Sequence, residues 1–169
     1  INANPFMPLN NMIGPEGERW APVHAVVPHS RAVEIMTAME ELFANHKEKI
    51  DHYGIGTGYL LSTIGASALL LEPVFFWPDK LMTFHERNIE SQYLKNIKGC
   101  PENREIREFV SDLRSQLTQL CLDHATVHFQ IGKTYRYGEG MNEVSLSLVK
   151  AIKKHMDPKG LINPGSLGL

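Results

Sequence analysis

Two apolar runs around a short turn are the feature that most constrains how this chain folds. Residues 59–64 and 69–77 are rich in aliphatic and aromatic side chains, and Gly65-Ala66-Ser67 separates them. Apolar runs on either side of a glycine-containing turn predict an antiparallel hairpin. Pro73 has no N–H to donate, so it marks a bulge or an edge position in that hairpin.

Before the hairpin, the pattern predicts one strand and one helix. Residues 20–27 are β-rich and predict the strand. The helix runs from an N-cap at Ser30 to about Lys49. Its apolar positions recur at a spacing of three to four residues: Ala32, Ile35, Met36, Met39, Leu42 and Phe43.

After the hairpin, residues 78–99 allow helical pieces or a lid over a neighbouring part. A second helix is capped at Asn103, residues 126–131 alternate as a fourth strand, and residues 142–155 form a last helix. The second helix buries one face, formed by Ile106, Val110, Leu113, Leu117, Leu120 and Cys121.

The predicted order is therefore strand, helix, strand, strand, helix, strand. This order predicts an α+β fold, a ferredoxin-like β-α-β-β-α-β antiparallel sheet with helices on one face. A C-terminal helix and an extended tail follow. Such a fold serves many functions, so the function has to be argued from sites.

The composition excludes several classes of protein. Of 169 residues, 43% are apolar and 21% charged, as in globular rather than disordered chains. Seventeen Lys and Arg against nineteen Asp and Glu give a net charge of −2, which argues against a nucleic-acid partner. The apolar runs are too short for a membrane span. Two cysteines cannot form a disulfide scaffold or a four-thiolate metal site.

Glycine and histidine patterns indicate neither a phosphate loop nor a metal site. Gly54-Ile55-Gly56-Thr57-Gly58 lacks the Lys-Ser/Thr of a Walker loop and precedes a strand, where a dinucleotide fingerprint needs a helix. We interpret these glycines as the approach to a strand. The eight histidines form no HExxH or HxH motif, so we expect no metal site.

A row of polar residues near the predicted fourth strand is the best candidate site. His128 and Gln130 are two residues apart and so share one face of that strand, and Lys133 and Tyr135 follow just past its end. This row can line a cavity with a base, an amide and a cation. A polar outer face of an edge strand explains the same pattern, so both interpretations stay open.

The C-terminal tail is the most specific segment of the chain. The last predicted helix ends here, and a rigid extension with several glycines follows it. This extension is too apolar to remain exposed to water, so we expect it to pack against another surface. It reads Asp157-Pro158-Lys159-Gly160-Leu161-Ile162-Asn163-Pro164-Gly165. This tail resembles the helix-D-P-x-x-(I/L)-x-N-P-G ending of FAD-linked oxidases, typified by vanillyl-alcohol oxidase, para-cresol methylhydroxylase and D-lactate dehydrogenases. The element order is most similar to the para-cresol methylhydroxylase (4-cresol dehydrogenase) branch.

The resemblance implies a C-terminal substrate or cap domain of an FAD-dependent oxidoreductase, laid over a flavin that a separate N-terminal domain binds. Residues 1–19 would lead in from that missing domain, residues 20–156 would form the substrate domain, and residues 157–169 would dock on the flavin domain. The parent enzyme would transfer a hydride from an alcohol, hydroxy acid or alkylphenol to FAD. The 169-residue fragment alone is expected to be inactive.

The resemblance also assigns roles to the polar row. His128 is expected as base or hydrogen-bond partner and Lys133 as an anion clamp, while Gln130 and Tyr135 would orient a small-molecule substrate. These four residues would form the substrate side of the site.

On the cofactor side, Asn163 and Gly165 would lie near the flavin edge. Covalent members of the para-cresol branch use a Tyr or His shortly before the strand that resembles residues 20–27. Residues 1–19 contain no Tyr, His or Cys, so we expect no covalent flavin link from this domain.

A protein of another class explains the same element order: a stand-alone ferredoxin-like ligand-binding or dimerisation module without redox activity. The oxidase hypothesis expects the reading frame to continue upstream with a glycine-rich pyrophosphate loop, whereas the module hypothesis expects a frame of about this length. A homodimer is left open under either hypothesis. So is the compartment, with the cytoplasm favoured over the periplasm.

Overall fold

The computed structural model describes residues 10–130 and 132–169, so part of the predicted lead-in segment lies outside the described residues. An antiparallel sheet and several helices confirm the predicted α+β class. The strands are β1 (Arg19–Pro22), β2 (Ala25–Pro28), β3 (Gly56–Ile64) and β4 (Ala68–Trp77). The helices are α1 (Ala32–Asn45), α2 (Lys47–His52), α3 (Thr83–Asn88), α4 (Ser91–Asn96), α5 (Arg104–Asp123), α6 (Tyr137–Gly140) and α7 (Glu143–Met156).

Strand β4 is the strand with which the other three pair. Its C-terminal half pairs with β1, with Trp77 opposite Arg19. Its N-terminal half pairs with β2, with Leu71 opposite Ala25. Strand β3 joins β4 through a turn in which Gly65 has a φ of 60°, a value that glycine adopts without strain. The predicted hairpin is confirmed.

The single strand predicted over residues 20–27 is divided into β1 and β2, and Pro73 supplies the reason. The N–H of Val23 donates to the carbonyl of Pro73 at 3.0 Å. Proline has no N–H to return, so the ladder is incomplete at this pair. Pro73 is fully buried within β4, the strand that pairs with all the others. It therefore interrupts the ladder as a bulge would, but it is not at an edge.

Asparagine side chains cap two of the longer helices, and the cap at Asn103 is the predicted one. The side chain of Asn103 accepts a hydrogen bond from the N–H of Ile106 at 3.1 Å before α5. The side chain of Asn142 accepts one from the N–H of Ser145 at 2.9 Å before α7. In each case a side-chain oxygen satisfies an N–H that the helix itself leaves without a partner.

The first helix differs from its prediction at both ends. Ser30 is not an N-cap, because it lies inside a 3-10 turn, His29–Arg31, that leads into α1. The helix predicted to reach about Lys49 ends at Asn45 and resumes as α2 after His46, whose ring packs edge-on against Phe109. Residues 78–99 do form helical pieces, α3 and α4.

The predicted fourth strand is wrong: residues 126–130 make one isolated bridge, between Val26 and Val127. Ala125 has a φ of 49°, which turns the chain sharply after α5. The N–H and hydroxyl of Thr126 then both donate to the carbonyl of Cys121, at 2.9 and 3.1 Å. Both donors of Thr126 are therefore used by the last turn of α5 and are not available to pair with a neighbouring strand. Ile131 lies outside the described residues.

The chain divides into two compact units that alternate along the sequence. The first unit comprises Ile1–Val23, Glu40–Leu60 and Pro73–Arg114, and the second comprises His24–Met39, Leu61–Glu72 and Ser115–Leu169. The core of the first contains Phe43 and Phe75, whose rings meet edge-to-face at 5.6 Å. The core of the second contains Ile35, Met39 and Leu117.

In the first unit, Asp79 is a fully buried carboxylate with a complete set of donors. Arg107 reaches it through Nε at 2.8 Å and Nη2 at 3.0 Å, and Arg19 reaches it through Nη1 at 2.9 Å. The N–H groups of Lys80 and Asn103 also donate, each at 2.9 Å. Burial alone would raise the pKa of Asp79, but these hydrogen bonds and charges outweigh it and hold the pKa below its usual range.

Candidate functional site

The second unit contains a buried cluster of titratable side chains around His24. Nδ1 of His24 hydrogen-bonds to the hydroxyl of Tyr135, and Nε2 lies 3.5 Å from Oε2 of Glu72. All three residues are buried. Burial raises the pKa of Glu72, because a carboxylate loses its hydration in such a site.

His128 completes this cluster from the other side of Tyr135. The two ring centroids are 4.4 Å apart, and Nδ1 of His128 lies 2.8 Å from the backbone carbonyl oxygen of His24. A carbonyl only accepts hydrogen bonds, so Nδ1 carries a proton. Nε2 of His128 is buried and has no partner among the described residues. In neutral His128, this nitrogen therefore has a lone pair.

A cavity of about 410 Å³ in the same unit brings together three of the predicted site residues, Lys133, Tyr135 and Gly165. It is also lined by Arg136, Lys150 and Glu139, so its lining contains three cations and one carboxylate. Gly165 has a φ of 79°, and a Cβ atom there would lie 3.8 Å from Cε of Lys133. The cavity size is within the range of small-molecule sites.

The other three predicted site residues lie apart from this cavity. His128 lines a second cavity of about 310 Å³. Gln130 and Asn163 are exposed and line neither cavity. The shared strand face predicted for His128 and Gln130 is wrong, because residues 126–130 are not a strand. The roles predicted for Gln130 and Asn163 stay predictions.

Asp157 organises the tail that follows α7. It accepts hydrogen bonds from Nζ of Lys153 and from the N–H groups of Leu161 and Ile162, the latter two at 2.9 Å. These donors lower the pKa of Asp157 to about 2. The last turn of the tail packs on α6, where a Cβ at Gly138 would lie 3.4 Å from the carbonyl oxygen of Leu167. Its predicted docking on a separate flavin domain stays a prediction.

The sequence reasoning missed several residues of the site, among them His24, Glu72, Arg136, Tyr137 and Lys150. Glu72 did give a signal, because it is the one acid inside the apolar run 69–77, and charged residues are rarely buried without a partner. Arg136 and Tyr137 adjoin Tyr135 directly. Nothing in the local pattern of α7 marks Lys150 as a cavity residue.

Among the described residues, no group of three or more His, Cys, Asp or Glu side chains is placed to hold a metal ion. None of the described helices is long and apolar enough to cross a membrane.

The C-terminal part of the chain also matches the model of a known protein family. Residues 131–167 match the family model described as FAD linked oxidases, C-terminal domain. No curated protein and no solved structure matches the chain. The family match supports an FAD-linked oxidase C-terminal domain, and with it an oxidoreductase context. Nine of the ten residues that line the 410 Å³ cavity fall within the matched segment, and Gly168 lies just outside it.

The family match implies FAD, and the ring system and the phosphates of FAD require different features of the described residues. The cavity can accept a ring edge or a small anion beside its cations and tail glycines. The dinucleotide fingerprint of the doubly wound fold is a glycine-rich turn that opens a helix and binds the phosphates. The glycine-rich segment of this chain, residues 54–58, leads instead into β3, as predicted.

Proposed function

We propose that this chain is the substrate domain of an FAD-dependent oxidoreductase that oxidises a hydroxy acid. The observation that carries the proposal is the overlap between the family match and the cationic cavity. Residues 131–167 resemble the C-terminal domain of FAD-linked oxidases, and the same segment supplies nearly all of the cavity wall.

The charges of the cavity favour an anionic substrate over a neutral alcohol or an alkylphenol. Arg136 already interacts with Gln119 and, at 3.6 Å, with Glu139. Lys133 and Lys150 have no ion-pair or hydrogen-bond partner among the described residues. A carboxylate would provide that partner, since charge-assisted hydrogen bonds are the stronger kind.

Each predicted site residue has a role in this proposal. Lys133 holds the substrate carboxylate, and Tyr135 orients the reacting hydroxyl group. His128 acts as the hydrogen-bond partner rather than the base, because its ring supports Tyr135 and its Nε2 is buried. Gly165 approaches the flavin edge. Asn163 and Gln130 would contribute only when the flavin-binding domain covers them.

FAD would supply the hydride acceptor, and the chain would supply binding, orientation and proton transfer. Because the chain fits only a ring edge, we propose a separate N-terminal domain that binds the FAD diphosphate. We then expect the 169-residue chain alone to bind FAD with a Kd above about 1 µM, which corresponds to a binding free energy weaker than about −8 kcal/mol. Isothermal titration with FAD measures this affinity directly. Submicromolar binding would contradict the proposal that a separate domain binds the FAD diphosphate.

The substrate class can be tested by anaerobic flavin reduction in the enzyme that includes the flavin-binding domain. We expect a 2-hydroxy acid to bleach the flavin and an alcohol or alkylphenol of similar size to fail. Lys133→Gln should lower kcat/KM about tenfold, the loss expected for one charge-assisted hydrogen bond. Lys159→Gln, an exposed lysine of the tail, is the matched control and should have no effect.

The outcomes separate the parts of the proposal. Reduction by the alkylphenol alone would reject the hydroxy acid but keep the oxidoreductase. Failure of every donor with a correctly bound flavin would reject the oxidoreductase itself.

A further inference from the structure

The buried cluster of the second unit links the cavity to two residues outside the segment that matches the oxidase family. Tyr135 lines the cavity, and its hydroxyl hydrogen-bonds to His24, which lies 111 residues earlier in the chain. His24 is in turn next to Glu72 on β4. Tyr135 therefore connects the lining of the cavity with buried polar groups of the same unit.

The donor and acceptor properties of Glu72 and His24 determine in which direction the proton of Tyr135 would move. The carboxylate of Glu72 accepts only, and at 3.5 Å it favours the tautomer of His24 that carries its proton on Nε2. Nδ1 then has the lone pair, so it accepts the hydrogen bond from the hydroxyl of Tyr135. A hydroxyl, a base and a carboxylate that orients the base form the arrangement that activates oxygen atoms in many enzymes.

His128 holds this hydrogen-bonded path in place, because it packs on the Tyr135 ring and lies within hydrogen-bond distance of the backbone of His24. The exposed ring of Phe129 lies near His24, with 6.5 Å between the ring centroids, and takes no part in the path. The titratable groups that line the cavity with Tyr135 are Lys133, Arg136, Tyr137, Glu139 and Lys150. Glu72 is the acid at the interior end.

We propose that Tyr135, His24 and Glu72 form a proton relay that removes the hydroxyl proton of the substrate, an inference that rests on the proposed function. The substrate O–H bond breaks as a new O–H bond forms at Tyr135. The original Tyr135 proton forms an N–H bond at Nδ1 of His24. FAD, when bound, would be the oxidant and would supply the acceptor for the hydride that leaves the substrate carbon. Tyr135 is the catalytic residue, and His24 and Glu72 are positioning residues that act through it.

The first experiment does not depend on activity. Long-range ¹H–¹⁵N spectra of the 169-residue chain report which ring nitrogen of His24 carries the proton. We expect the Nε2–H tautomer, with an Nδ1 signal that moves toward that of a free acceptor nitrogen in Tyr135→Phe. An Nδ1–H tautomer, or an unmoved Nδ1 signal in that variant, would overturn the relay even if the enzyme oxidises hydroxy acids.

The second experiment measures flavin reduction against pH in the enzyme that includes the flavin-binding domain. Tyr135→Phe should lower the rate at least about 100-fold, as expected for the loss of a general base. Glu72→Gln keeps the side-chain shape but removes the charge that stabilises the His24 imidazolium. Its rate should fall, and the acidic limb of its profile should move to lower pH.

Phe129→Leu is the matched control, because it changes a ring neighbour of His24 outside the hydrogen-bonded path. Its pH profile should match that of the unmodified enzyme. If Glu72→Gln and Phe129→Leu have the same profile, Glu72 is merely structural and the relay is wrong.

Discussion

Asp79 and Glu72 are both buried carboxylates, but their surroundings differ in every respect that matters to chemistry. Asp79, in the first unit, accepts hydrogen bonds from two arginines and two backbone N–H groups. Glu72, in the second unit, faces one imidazole at 3.5 Å. The pKa of Asp79 is lowered and the pKa of Glu72 is raised. A carboxylate with many donors is fixed as an anion and stabilises the fold, whereas a carboxylate that faces a single imidazole can act on the charge of that imidazole.

The largest effect expected from this comparison is on the stability of Asp79→Asn. The variant leaves Arg19 buried without its counter-charge, so the free energy of unfolding should fall by about 3–5 kcal/mol, as for other broken buried pairs. Urea unfolding measures the change. Glu102→Gln, which removes only the exposed carboxylate 3.4 Å from Arg107, should cost less than about 0.5 kcal/mol. Equal losses of stability in Asp79→Asn and Glu102→Gln would show that burial of Asp79 does not increase its contribution to stability.

Glu72→Gln should change the free energy of unfolding by less than about 1 kcal/mol near neutral pH. Folding raises the pKa of Glu72, so ionisation costs stability as pH rises above about 4.3, the unfolded value. The unmodified chain should therefore lose stability relative to the variant as pH rises. Asp79 has the opposite sign, because its stabilisation is lost as pH falls below about 4. Urea unfolding at several pH values separates the two slopes.

The local parts of both regions could be predicted from the sequence. The hairpin, the cap at Asn103 and the apolar faces of α1 and α5 follow from short-range patterns, and the structure confirms them. Lys133, Tyr135 and Gly165 were also predicted as site residues, and one cavity contains all three.

The sequence could not show which side chains meet across long separations. The contact between His24 and Tyr135 spans 111 residues, and no periodicity encodes it. The fourth strand failed for a related reason. The sequence of residues 126–131 alternates as that of a strand does, but Thr126 donates to the end of α5 instead of to a neighbouring strand. Tertiary context decides such competitions between hydrogen-bond partners.

A smaller effect is expected at Asp157, a third carboxylate whose donors come from its own helix and tail. In Asp157→Asn one oxygen acceptor is lost, so the amides of Leu161 and Ile162 should exchange with solvent faster while global stability barely changes. In the unmodified chain these bonds should survive acidification and fail only as pH falls from about 4 to about 2. Hydrogen exchange monitored by NMR tests both statements. Asp123→Asn, near the end of α5, is the control and should leave these two amides unchanged.

The most direct test of the account is whether the cationic cavity selects an anion. Titrating the 169-residue chain with lactate should shift the NMR signals of Lys133, Tyr135 and Gly165, and the neutral isostere lactamide should not. Replacing Lys133 or Lys150 with Gln should weaken lactate binding about tenfold, while Lys159→Gln should not change it. Equal binding of lactate and lactamide, or equal losses in all three variants, would contradict the proposed substrate site.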